Sequence, residues 1–124
     1  MYQRILVGTD GSATATKAVE RAVQVAATTG ASLTILAAAR AERGDAIVAE
    51  AAGRHAGSGV AIDTVVVDDA PVHALIDTAR AGGYDLVVVG NKGMTGVSRF
   101  FQLGSVPNKL SHHLPCNLLI VKTT

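Results

Sequence analysis

Five short apolar runs alternate with stretches of helical spacing, and that alternation leaves few folds open to this chain. The runs cover about Gln3–Gly8, Ser32–Ala38, Ala61–Val67, Leu86–Gly90 and Asn117–Lys122. They are β-branched and apolar at successive positions, as in strands of a parallel sheet covered on both faces. Strand, helix, strand in repetition predicts a doubly wound α/β sheet with right-handed crossovers. The chain has 124 residues, enough for one domain spanning 1–124 with a single core. With two Tyr, two Phe and no Trp, that core must be built from Val, Leu, Ile and Ala.

Four helices are expected. The first runs from about Ser12 to Thr29, where Ala15, Ala18, Val19, Ala22, Val23 and Ala26 form one apolar stripe. Ser12 suits its N-cap and Gly30 a left-handed end. The second is placed at about Asp45 to His55, framed by Gly44 and by Gly53 through Gly59. The third spans about Pro71 to Ala81, with Val72, Leu75, Ile76 and Ala79 facing in and Pro71 in a first turn that needs no N–H from it. The fourth spans about Ser105 to His113. No internal repeat, low-complexity tract or interdomain linker is visible.

Two strand-to-helix turns carry the chemistry. Gly8-Thr9-Asp10-Gly11-Ser12 follows the first strand. Gly90-Asn91-Lys92-Gly93, and later Gly104-Ser105, follow the fourth. Glycine allows close approach of bare backbone to a ligand, and a helix start offers unpaired N–H groups and a positive dipole end to a phosphate. Glycines after a strand also make ordinary turns, so either segment alone is weak evidence. Asp10 and Ser105 can each serve simply as helix caps.

Together these segments resemble the universal stress protein family, of the nucleotide-binding kind. Ile5 through Ser12 matches the family opening. Val87 through Val121 matches its glycine signature, and the likeness covers nearly the whole chain. The resemblance implies a five-stranded parallel sheet of order 3-2-1-4-5 with helices on both faces, which periodicity does not supply. It implies a ligand at the switch point between strands one and four. It assigns Gly8, Thr9 and Asp10 to adenine and ribose; a carboxylate such as Asp10 at this turn can accept from a ribose hydroxyl or help hold a Mg²⁺ ion beside phosphates. It assigns Ala38 and Val89 to packing on the base, and Gly90, Gly93, Gly104, Ser105 and Val106 to phosphates and ribose. Lys92 and Arg99 are cations within the glycine segment, where a solvated charge is the common outcome.

The function so implied is that of a stress-response regulator holding ATP, with or without Mg²⁺. The stretches Val89-Gly90-Asn91 and Gly104-Ser105-Val106-Pro107 resemble actinobacterial members and leave room for cyclic AMP. The alternatives are a member that works without nucleotide through dimer or partner contacts, and a slow ATP hydrolase using Asp10. Three departures from the family pattern stand out. Ten residues, Met94 to Leu103, separate Gly93 from Gly104, one more than the pattern. Asp69 stands where glycine is common. The link Ala39-Arg40-Ala41-Glu42-Arg43-Gly44 is short.

Other classes find little support. Eleven basic residues against ten acidic give no basic patch for nucleic acid and no pull toward an anionic membrane. No apolar run nears the ~20 residues of a membrane span. Met1-Tyr2-Gln3-Arg4 leads straight into a strand, so no signal peptide is expected and the cytoplasm is the expected location. Lone Cys116 reads as a small buried hydrophobe. His55, His73, His112 and His113 lack metal-ligand spacing, Asp68-Asp69 reads as helix caps, and no Walker motif occurs, so no enzyme is expected. The last strand, 117–122, is an apolar sheet edge. In the resembled family that strand pairs with its copy, which implies a homodimer.

Overall fold

The computed structural model describes residues 1–91 and 105–123, with side chains left out for 105–107. The elements alternate throughout: β1 (Arg4–Gly8), α1 (Ala13–Thr29), β2 (Ser32–Ala38), α2 (Ala41–Arg54), β3 (Ile62–Val67), α3 (Pro71–Gly82), β4 (Leu86–Gly90), α4 (Ser105–His113) and β5 (Asn117–Val121). All five strands are parallel, in the order β3-β2-β1-β4-β5. The single doubly wound α/β domain expected from the sequence is therefore the observed one.

Alternation along the central strands splits the core in two. Ile5 and Val7 of β1 face one side, with Leu33, Ile35, Val88 and the α1 stripe Ala18, Val19, Ala22, Val23 and Ala26. Leu6 faces the other, with Leu36, Val87, Val89, Ala74, Leu75, Ile76, Ala79 and Leu110. So α1 and α2 cover one face, and α3 and α4 the other. Ala74 joins the buried face of α3, while Val72 is only half-buried. A fully buried leucine such as Leu75 contributes about 1.5–3 kcal/mol by leaving water.

The ends of α1 follow local chemistry. Ser12 is the N-cap, its hydroxyl accepting from the Ala15 N–H at 3.2 Å, and Gly30 ends the helix at φ +75°. The second helix departs from the sequence expectation. It starts at Ala41 rather than Asp45, and Gly44 is an interior residue, not a boundary. Gly44 is buried against β3, and a Cβ added there would lie 3.1 Å from Val66 Cγ2. The glycine therefore admits close packing of helix on strand, and the link from β2 shrinks to Ala39 and Arg40.

Register aligns the strand ends that matter. Ile5, Leu6 and Val7 pair with Leu86, Val87 and Val88. Beyond the ladder, β1 leads into the turn 8–12 and β4 into Gly90 and Asn91. The sheet order reverses between these two strands, so both carboxyl ends open at one switch point.

Candidate functional site

The turn after β1 is held by its own side chains. The Thr9 N–H extends the sheet by donating to Leu36 O at 2.9 Å, and Thr9 is 2 % exposed. Thr9 Oγ1 accepts from the Gly11 N–H at 3.1 Å, and Asp10 Oδ1 accepts from the Ser12 N–H at 3.0 Å. Gly11 has φ +83°, a conformation that side chains rarely adopt, and a Cβ there would meet Ile47 Cγ1 at 3.3 Å. Asp10 thus braces the turn from one oxygen, while the helix cap itself is Ser12. Among the described residues Asp10 Oδ2 has no hydrogen-bond partner, and the carboxylate is only partly buried.

A cavity of about 500 Å³ opens beside this turn, at the carboxyl ends of β1 and β2. Thr9, Asp10 and Ala38 line it, which brings three of the sequence-predicted site residues together. Ala37 and Ala39 extend the wall with small side chains, and Ile47, Ala70 and Pro71 add apolar surface. A largely apolar cavity with a few polar groups is what small-molecule sites tend to be. Arg40 and Arg43 also line it. Sequence reasoning missed them as site residues, although the shortness of their link was the available signal.

Val89 does not line this cavity. Its side chain is 1 % exposed and packs among Leu6, Leu36 and the α3 residues. Alternation along β4 is the reason: position 89 faces α3 and α4. Gly90 ends β4 opposite Val121. Asn91 follows, its N–H donating to Val121 O at 2.7 Å. Asn91 Oδ1 accepts from both the N–H and the hydroxyl of Thr123, at 2.7 and 3.0 Å, and Lys17 Nζ donates to Thr123 O at 3.1 Å. The start of the glycine segment is thereby tied to the chain after β5. Gly93, Gly104, Lys92 and Arg99 lie outside the described residues, as does the ten-residue spacing. Ser105 and Val106 open α4, as expected from the sequence.

The remaining chemistry is sparse. Among the described residues no three His, Cys, Asp or Glu side chains cluster as a metal requires. Asp69 Oδ1 accepts from the Ala70 N–H at 2.7 Å, a local bond at the head of α3. Burial, and secondarily the charge of Asp85, push the Cys116 thiol above its ordinary pKa, which disfavours the reactive thiolate. Among the described residues no helix is long and apolar enough to cross a membrane.

Known proteins bear on this geometry. The model of the universal stress protein family matches residues 1–51 and 36–122. A universal stress protein of Mycobacterium tuberculosis is 32 % identical over 145 residues, covering 99 % of this chain and 98 % of its own. One from Bacillus subtilis is 29 % identical over 149 residues, covering 98 % of this chain and 100 % of its own, so it carries stretches without counterpart here. The crystal structure of a universal stress protein in complex with cAMP superposes with a TM-score of 0.84 at 40 % identity, covering 99 % of this chain and 98 % of that one. The chain belongs to the universal stress protein family.

Proposed function

We propose that this family member binds an adenine nucleotide, ATP or cyclic AMP, in the cavity at the switch point and acts as a stress-linked regulator rather than as an enzyme. The observation that carries the reading is the 500 Å³ cavity with Thr9, Asp10 and Ala38 on its wall. The cAMP complex of a 40 % identical relative supports the adenine ligand. In this reading the base lies against Ala37–Ala39, and the free oxygen of Asp10 accepts from a ribose hydroxyl. With ATP, Asp10 would be the acid nearest a Mg²⁺ beside the phosphates. The backbone of Gly90, with Gly93, Gly104, Ser105 and Val106, would hold phosphate.

The same reading makes the molecule a cytoplasmic homodimer joined along β5. Among the described residues that strand pairs only with β4, and it exposes Ile120 at 42 %. Because Asn91 is bonded to Val121 and Thr123, a ligand held against Gly90 and Asn91 would reach the strand at that edge.

Calorimetric titration with ATP, ATP plus Mg²⁺ and cyclic AMP tests the core of this reading. Asp10→Ala should weaken binding about tenfold, the worth of one hydrogen bond to a charged group. Absence of binding heat for all of these ligands would sink the nucleotide reading and leave the surface contacts as the functional part.

A further inference from the structure

The cavity has a charged rim to which the nucleotide reading gives no role. Arg40 and Arg43 line it from the head of α2. Arg40 is the extended N-cap residue and Arg43 sits three positions on, in the first turn, yet both reach the same cavity. Every other described arginine has a partner. Arg4 donates to Gly82 O and stacks over Tyr84, Arg21 donates to Gln24, Arg54 to Glu50 and Arg80 to His113 O. The side chains of Arg40 and Arg43 have no hydrogen-bond or ion-pair partner among the described residues.

Their setting disfavours that isolation. Two like charges bordering one cavity repel. Both guanidinium groups also stand at the end of α2 where the dipole is positive, and no side chain caps that end. The nearby acids belong elsewhere: Glu42 lies in the same turn but does not line the cavity, and Asp45 lines a separate cavity with Asp68. Among the described residues lining the cavity the only acid is Asp10, one of whose oxygens is already taken by the Ser12 N–H. A neutral base against the alanines would relieve none of this repulsion, whereas an anion would. Two guanidinium forks match the oxygens of a phosphate, to which each can donate twice.

We propose that Arg40 and Arg43 form a phosphate-recognising pair on the rim of this cavity, so that the ligand is held by a phosphate group from the α2 side. The proposal rests on the nucleotide reading and deepens it, because it gives the ligand's phosphate a contact made by residues of the β2–α2 link and the head of α2. The phosphate has two chemical sources: the nucleotide's own 5′ phosphate, or a second phosphate elsewhere on the same molecule.

The test is calorimetry at two salt concentrations on the full chain. The ligands are adenosine, cyclic AMP, ATP, adenosine 3′,5′-bisphosphate and inorganic tripolyphosphate. The variants are Arg40→Gln/Arg43→Gln, Arg40→Lys/Arg43→Lys, and Arg21→Gln as a charge control away from the cavity. The glutamine pair should weaken phosphate-bearing ligands about tenfold or more and flatten their salt dependence. It should leave adenosine within about twofold, and the lysine pair should fall between. A response to cyclic AMP as large as that to the bisphosphate supports the nucleotide's own phosphate; a response to the bisphosphate alone supports a second one. Equal weakening of adenosine and nucleotides, no weakening at all, or a loss matched by Arg21→Gln would overturn the proposal. Failure of the two readings is distinguishable. Tripolyphosphate binding that depends on the arginines, without any nucleotide binding, keeps the pair and removes the nucleotide. Nucleotide binding indifferent to the arginines does the reverse.

Discussion

The turn after β1 and the link after β2 both carry the chain from a strand end into a helix, and both border the same cavity, but different forces hold them. In the turn, the Thr9, Asp10 and Ser12 side chains each accept from a backbone N–H two or three residues on. In the link there are only Ala39 and Arg40, and α2 has no side-chain cap. What seats α2 instead is packing, with Gly44 pressed against Val66 of β3 and Val48 4 % exposed in the core. One side of the cavity is thus a rigid polar turn. The other is a helix placed by its underside, with its charged residues left free to meet a ligand.

Substitutions can break that contrast. The largest loss should come from Gly44→Leu, which drives a side chain into Val66: about 3 kcal/mol from overpacking, read as a fall in the urea midpoint. Gly11→Val should cost about 2 kcal/mol, because φ +83° is strained for a β-branched residue and Ile47 leaves little room. Thermal unfolding of that variant should also be accompanied by weaker nucleotide binding, since Thr9 and Asp10 move with the turn. Ser12→Ala should cost about 1 kcal/mol by removing the cap of α1, with the same two-state transition. The smallest effect sharpens the comparison: Arg40→Gln/Arg43→Gln should leave stability within about 0.5 kcal/mol, as exposed side chains outside the packing do. A stability loss there as large as that of Ser12→Ala would mean that the rim is structural after all.

Much of the site was readable from residues close together in the chain. Ser12 as cap, Gly30 as left-handed stop and Pro71 in the first turn of α3 are outcomes of bonds and dihedral limits that span a few positions. The turn at Gly8–Ser12 belongs to the same class. Gly44 does not. Read locally, a glycine before a helical pattern marks a boundary, whereas here its partner is Val66, across the α2–β3 packing. The face taken by Val89 was hidden for a related reason, because the sequence pattern of an all-apolar strand does not say which face of the sheet each residue takes.

Chain order alone determined that strands and helices would alternate, that the sheet would be parallel and that two glycine-containing turns would follow β1 and β4. Hydrophobic period and capping chemistry act over a few residues, and the sequence carries them in full. The strand order was reached through family resemblance, since no local pattern encodes which strands become neighbours. Only the tertiary structure decided that α2 begins at Ala41, that Val89 belongs to the core, and that Arg40 and Arg43 share a cavity with Thr9 and Asp10. Those outcomes depend on contacts between elements distant in the chain, where close packing rather than local preference selects the position.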